Sequence, residues 1–283
     1  MPAGLTRGAD SGAQSSAASR SHSRFNPAAR MAGGYLPLDG TVEFYGRVCA
    51  LLKPTDIVLN LGAGRGAWYF EDESEYRRSL QDLKPRVKYL YGADIDPVVL
   101  TNPTSHENLL IRDGRIPLPD HSVDLVVADY VFEHVENPGA VCAEISRVLR
   151  PGGYLCARTP HKYQLISVAA RLIRNRNHAH VLSVAQPHRI AADVFPTVYR
   201  LNTIRDIHRH FGEFEDHSYL YSAEPQYYFG HRYVHFALTC LRRVLPDVLV
   251  SNIFVFLQKR PAVPSAPSVE LAHSGNFNSR ITA

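Results

Sequence analysis

DIVLNLGAGRGA, residues 56–67, joins an apolar run to three glycines at alternate positions, Gly62, Gly64 and Gly66. A run of Ile, Val and Leu without alternation reads as a strand buried on both faces, and the glycines let the following turn approach a ligand closely. A helix opening at such a turn presents unpaired backbone N–H groups to that ligand. Strand, glycine turn and helix together predict a nucleotide-type cofactor site.

The turn fits two patterns. Gly62-Ala63-Gly64-Arg65-Gly66-Ala67 matches G-x-G-x-G, common in S-adenosylmethionine enzymes, and also the G-x-G-x-x-A variant of the dinucleotide fingerprint. A second strand, VKYLYGAD, ends at Asp94, where a carboxylate can accept hydrogen bonds from both ribose hydroxyls of an adenosine. The dinucleotide pattern expects that acid about twenty residues past the glycines. Here EDESEYRRSLQDLKPR, residues 71–86, delays it, which counts against NAD. The rival role for Asp94 is a cap on the helix that Asp96-Pro97 opens.

NLLIRDGRIPLPDHSVDLVVADYVFEHV, residues 108–135, follows, then PGAVCAEISRVL and the turn RPGGYL, residues 138–155. With these blocks in order the chain resembles the class I S-adenosylmethionine-dependent methyltransferases, specifically the methyltransferase type 11 group. The resemblance covers residues 40–160. It implies an α/β fold: a doubly wound, mostly parallel seven-stranded sheet, Rossmann-like, whose last strand is antiparallel. It also implies S-adenosylmethionine as cofactor. Backbone groups of Gly62, Ala63, Gly64 and Gly66 would line its methionine part and sugar, Asp94 would hold the ribose, and Ile95 would pack on the adenine. Asp113 and Gly114 would meet the adenine edge, and Asp129 and Tyr130 would border the methyl group. The family often has an acid where this chain has Asn60, so the charge that attracts the cofactor's amino group is missing here. Asp113-Gly114 also reads as an ordinary turn, and Asp124 as a structural anchor.

Little else is required of the protein, since the sulfonium is already activated and positioning supplies much of the catalysis. A hydroxyl acceptor would profit from a base, for which His134 and His161 are candidates, with Tyr130 to orient the acceptor. His134 has a rival reading as a residue that fixes its loop.

Strands are predicted near 56–61, 87–93, 107–111, 122–129 and 153–158, with a helix over TVEFYGRVCALL, residues 41–52, before the first. The methyltransferase domain is placed at 35–260. Residues 1–34, rich in Ala, Ser and Gly, read as a disordered tail (an over-called start and a transit peptide being the alternatives), and 261–283 as a flexible one. Four arginines against Asp10 alone in the first 34 residues account for three of the net +4 charges. The body is near neutral, and no nucleic-acid partner is expected.

Residues 160–200 read as a lid-like insertion. His178, His180 and His188 within it lack metal-site spacing, so no metal is expected, while Arg171, Arg174, Arg176 and Arg189 suit an anionic group on a substrate. A helical insertion over 225–250 is expected to cover the core, its rival roles being a substrate wall or a membrane-interface helix. Scattered cysteines and the lack of a long apolar run point to a cytoplasmic protein without a transmembrane segment. The expected function is methyl transfer to a small-molecule, glycan-precursor or lipid-linked acceptor. A degenerate methyltransferase-like regulatory subunit and an NAD-dependent oxidoreductase are the alternatives.

Overall fold

The computed structural model describes residues 25–165, 167–168, 196–225, 228 and 230–261. Eight strands form one sheet: β1 (Ile57–Leu61), β2 (Tyr89–Asp94), β3 (Glu107–Leu110), β4 (Val123–Asp129), β5 (Leu149–Pro160), β6 (Phe214–Asp216), β7 (Tyr219–Tyr221) and β8 (Asn252–Lys259). Their order is β3-β2-β1-β4-β5-β8-β6, with β7 also on β8. The first five are parallel, and β8 runs antiparallel to β5, β6 and β7. The chain leaves β1 on one side to reach β2 and β3, then returns to the other side for β4. That reversal puts a crevice at the carboxyl ends of β1 and β4, where open α/β sheets bind ligands.

Successive strand residues point to opposite faces, and both faces are covered. Leu59, Val126, Leu155 and Val255 pack under α4 (Pro138–Val148) and α5 (Ile204–His210). Val58, Leu125, Val127 and Phe254 pack under α1 (Gly40–Leu51) and the segment of α3 (Glu75–Gln81), α1 contributing Phe44, Tyr45 and Val48. α1, α3, α4 and α5 start where the sequence supplies a side-chain acceptor for orphan N–H groups. Asp39 caps α1 through the amides of Thr41 and Val42 at 2.9 and 3.0 Å. Asn137 caps α4, with Pro138 at its first position.

The predicted seventh-strand architecture differs in one detail: the sixth strand is split into β6 and β7. Asp216 pairs with Leu257 and Tyr219 with Phe254, so the register carries straight across the gap. At the gap the Asp216 carboxylate takes the Ser218 amide at 2.7 Å, and the Ser218 hydroxyl takes the Phe256 amide at 3.3 Å. Side-chain oxygens thus replace the ladder for one step in what is a single strand. The RPGG stretch, read as a turn, is a bulge inside β5. Val123 pairs with Leu149 and Leu125 with Tyr154, so three extra residues loop out opposite Asp124. Gly153 is forced there, since a Cβ would lie 2.6 Å from the Asp124 carbonyl. Asp124 is the anchor expected of it, taking the Ile57 amide at 2.8 Å and pairing with Arg150 at 2.6 Å.

The N-terminal segment is anchored further upstream than residue 34. Residues 28–30 and 32–34 form 3-10 turns, and the Phe25 amide donates to Gly230 at 3.2 Å. The helical insertion contains α6 (Arg232–Val244), but none of its residues is buried, so it does not cover the core. Cys142 and Cys156 are buried thiols, as small core residues should be, and burial pushes Cys142 up to about 12. No described helix is long and apolar enough to cross a membrane. No metal-binding cluster of His, Cys, Asp or Glu occurs among the described residues. The histidines and arginines between 171 and 189, expected to belong to a lid-like insertion, lie outside the described residues.

Candidate functional site

The glycine turn folds back on the tip of β2. The amides of Gly62 and Ala63 both donate to the Ala93 carbonyl, at 2.7 and 3.2 Å. Gly62 and Gly66 are held in the left-handed region at φ +72° and +71°, and each is packed so that a Cβ would collide. The Gly62 Cβ would lie 2.4 Å from Val131, and that of Gly66 2.7 Å from the Asn102 amide oxygen. A Cβ on Gly64 would instead meet open space, which leaves its backbone accessible to a ligand. Asn102, buried, ties the turn from behind by donating to the carbonyls of Ala63 and Gly64 at 2.9 and 3.0 Å. Its own oxygen is taken by the amide and hydroxyl of Thr104. The helix that follows, α2 (Ala67–Glu71), is only five residues long, so no long helix dipole faces the site, and the amides of Gly62, Ala63, Gly64 and Gly66 are taken up within the turn and the β2 tip.

Asp94 is held by two backbone donors. Its carboxylate accepts from the Gly64 amide at 2.9 Å on one oxygen and from the Asp96 amide at 3.0 Å on the other. Each oxygen keeps a lone pair for a further donor. The rival capping role belongs to Asp96, whose side chain takes the Val98 amide at 2.9 Å at the start of the 3-10 turn Pro97–Thr101. Beside Asp94 the Ile95 side chain is 67% exposed, an apolar surface at the strand tip. Asp113 and Gly114 form a tight turn closed by the Arg115 amide on the Arg112 carbonyl, with φ +52° and +71° at its centre. Those are the angles Asp-Gly favours. The turn is exposed and follows β3, whose Leu110 pairs with Asp94.

The β4 tip carries more protein contacts than the sequence suggests. Asp129 meets Arg158 of β5 through two contacts of 2.7 Å and accepts from the Tyr45 hydroxyl at 3.2 Å. Arg158 is only 4% exposed, lies between the rings of Tyr130 and Phe44 at 4.7 and 5.3 Å, and donates to Thr41 at 3.1 Å. Burial alone would lower its pKa, but the Asp129 charge and hydrogen bond outweigh burial and keep the guanidinium charged. Burial, and then Asp129, push the Tyr45 hydroxyl well above its usual range, so it stays a donor. Tyr130 sits at φ +55°, a strained angle for a bulky residue, and is held there by its amide on the Arg158 carbonyl at 2.8 Å. Its hydroxyl accepts from Asn252 at 3.1 Å.

The two candidate bases differ in their surroundings. His134 places Nδ1 2.9 Å from the Pro196 carbonyl, so that nitrogen carries the proton and Nε2 is the basic one in the neutral ring. Its neighbour Glu133 is buried, takes the Thr159 hydroxyl at 2.9 Å, and its carbonyl accepts from Val198 and Tyr199. His134 and Glu133 therefore hold residues 196–199 against the loop after β4. His161 is buried, takes the Tyr163 amide on Nδ1 at 3.2 Å, and is also bonded to the Val248 carbonyl. Burial lowers its pKa, partly offset by that carbonyl, so the ring is neutral near pH 7. The Asn60 side chain, midway along β1, makes no hydrogen bond to a described residue.

The structure thus gathers the glycine turn, Asp94, Ile95, Asp129 and Tyr130 at one edge of the sheet. Sequence reading missed Asn102, Arg158 and the buried cluster in which Asn202 donates to the Thr159 hydroxyl at 2.6 Å and Thr159 donates to Glu133. Arg158 had a legible sign, a single charge inside the apolar strand YLCARTP.

Residues 74–157 match the family model described as a methyltransferase domain. A probable S-adenosylmethionine-dependent methyltransferase of Mycolicibacterium smegmatis is 35% identical over 109 residues, 37% of this chain and 38% of that protein. An uncharacterized methyltransferase of Schizosaccharomyces pombe is 39% identical over 44 residues, 16% of each chain. The chain thus aligns with well under half the length of these relatives. A solved S-adenosylmethionine-dependent methyltransferase of Aquifex aeolicus is 14% identical with a TM-score of 0.43, covering 78% of this chain and 94% of the other. Over the matched residues the chain is similar to S-adenosylmethionine-dependent methyltransferases and carries a methyltransferase-domain match.

Proposed function

We propose that the protein transfers a methyl group from S-adenosylmethionine to a small-molecule, glycan-precursor or lipid-linked acceptor. The observation that carries this is Asp94, fixed by the Gly64 and Asp96 amides beside a glycine whose missing side chain faces open space. Bound there, S-adenosylmethionine supplies an electrophilic methyl group on a sulfonium. Asp94 accepts the ribose hydroxyls, Ile95 covers one adenine face, and Asp113 with Gly114 meets the adenine edge. Backbone groups of the glycine turn flank the sugar and the methionine chain, and Asn60 hydrogen-bonds the amino acid end without adding charge.

Asp129 is already neutralised by Arg158, so its part is to position Tyr130 rather than to offer a free carboxylate. Tyr130 orients the acceptor. His134, its ring oriented by Nδ1 on the Pro196 carbonyl, is the proposed base, and both nitrogens of His161 are engaged by backbone. Anionic groups on the acceptor are matched by the arginines of the 160–200 segment.

Calorimetric titration of the protein with S-adenosylmethionine and then NAD tests the cofactor. Binding of the first alone, lost in Asp94→Ala by about a hundredfold as two charge-assisted hydrogen bonds would imply, is the expected result. NAD binding would return the site to the oxidoreductase reading. A second reading, a regulatory subunit without turnover, is favoured by the uncharged Asn60. Release of S-adenosylhomocysteine with any acceptor removes it.

A further inference from the structure

α6 is amphipathic the wrong way round for a helix that packs on a core. Tyr233, Phe236, Ala237, Cys240, Leu241 and Val244 stand at i, i+3, i+4, i+7, i+8 and i+11, one continuous stripe, and all six are exposed. Tyr233, Phe236 and Val244 are 78%, 69% and 77% exposed. The opposite face, which includes His235, Thr239 and Arg242, is turned toward the protein and holds the helix there by polar contacts. Arg242 donates to the Ser222 carbonyl at 2.8 Å and pairs with Glu224 at 3.5 Å. The His235 ring packs edge-on to Tyr228 and Phe25, at 5.2 and 5.8 Å. The helix is therefore anchored through Arg242 and His235, beside the half-buried Val234 and Leu238, and presents the stripe with Tyr233 and Phe236 outward.

Charge identifies what the stripe meets. Arg232 and Arg243 fall at the rim of the stripe, exposed, and residues 225–246 contain no Asp or Glu. Packing two copies of α6 against each other would bring Arg232 against Arg243 in the antiparallel pairing, or each arginine against itself in the parallel one. No acid in the segment would relieve that repulsion. An anionic surface does relieve it. An apolar stripe with Tyr and Phe, a cationic rim and low overall hydrophobicity is the composition of helices that lie in the lipid headgroup region.

The insertion also hangs at the functional edge. β7 is antiparallel to β8, which is antiparallel to β5, so Tyr221 ends at the same edge as Asp94 and Asp129. We infer that α6 is a monotopic docking surface for an anionic lipid membrane, holding the carboxyl edge of the sheet toward the bilayer. This surface is independent of the methyl-transfer reading, since lipid binding and cofactor binding are measured separately.

The test is co-sedimentation of the full chain with vesicles of phosphatidylcholine alone and with added phosphatidylglycerol. Binding to the anionic vesicles is expected, weakened by salt and about fivefold by loss of each rim arginine. Phe236→Ser with Val244→Ser should weaken it at least about tenfold with the thermal melt unchanged. Should that double variant misfold, Arg243→Glu gives the same readout from an exposed rim position. A fluorophore on Cys240, at the centre of the stripe, should shift to the blue on adding anionic vesicles. Absence of vesicle binding, or equal binding by wild type and variants, overturns the inference. So does a concentration-dependent dimer that the same variants abolish while vesicles have no effect, which would give the face to a second copy.

Discussion

Asp129 and Arg158 are register partners on adjacent parallel strands, and their side chains close a two-pronged contact of 2.7 Å on each prong at the carboxyl edge of the sheet. Breaking it from one side leaves the other charge buried. Arg158→Met alone should therefore cost about 3–5 kcal/mol, read from urea denaturation. The double variant Asp129→Asn with Arg158→Met should recover a large part of that loss. Equal destabilisation in the single and double variants would mean that ring packing by Arg158, rather than its charge, holds this edge.

Asn102 touches the glycine turn only from behind, through the carbonyls of Ala63 and Gly64. Asn102→Ala should leave the part-buried Gly64 carbonyl without its Asn102 donor, while the Ala63 carbonyl keeps the Gly66 amide, and cost about 1–3 kcal/mol. Because the turn then loses its fixed shape, S-adenosylmethionine affinity should fall with it. Calorimetry of a sample kept below its melting range separates that loss from unfolding. Unchanged affinity would show that Asp94 alone shapes the turn.

Asn60 lies on β1 two residues before Gly62, the position proposed here to meet the amino acid end of the cofactor. Asn60→Asp should tighten S-adenosylmethionine binding by about tenfold, the value of making one hydrogen bond charge-assisted. The gain should fade at acid pH, as partial burial favours the neutral carboxyl. No gain in the titration would place the amino acid end of the cofactor elsewhere.

His161 links stability to pH. Its folded pKa is depressed by burial, so the unfolded chain binds the proton more readily. Stability is fully present above the unfolded pKa of about 6.5. It is lost as pH falls from there to the folded pKa, and the loss levels off below it. The melting temperature of the wild type should drop more between pH 7 and pH 5 than that of His161→Gln, which keeps a donor and an acceptor but no titrating ring. Parallel curves would assign the acid sensitivity to other groups.

What the sequence revealed and what it hid divide by the range of the interactions. The run Ile57–Leu61, the glycines after it and Asp94 were readable because strand burial and turn geometry are local properties with local patterns. The caps at Asp39 and Asn137 are local too. The Asn102 tether spans nearly forty residues, and the contact between Arg158 and Thr41 spans 117. No periodicity announces such partners. The bulge at Gly152–Gly153 looked like a turn because Pro-Gly-Gly has the chemistry of one, and only the pairing of Leu149 with Val123 keeps it inside the strand. The amphipathic period of α6 was visible, but which face turns inward depends on Ser222, Glu224 and Phe25, which lie outside the helix.

The order β3-β2-β1-β4-β5-β8-β6 has a consequence for how the molecule comes into being. β8 is made last of the described strands yet lies inside the sheet, between β5 and β6. Until Asn252–Lys259 has emerged from the ribosome, one edge of β5 is open and β6 and β7 have no neighbour to join. The parallel half can assemble on the nascent chain, while the antiparallel half must wait for synthesis to pass Lys259. An interval with an unpaired, apolar β5 edge is one in which strands of other chains can add. A stop anywhere before Asn252 would make that interval permanent.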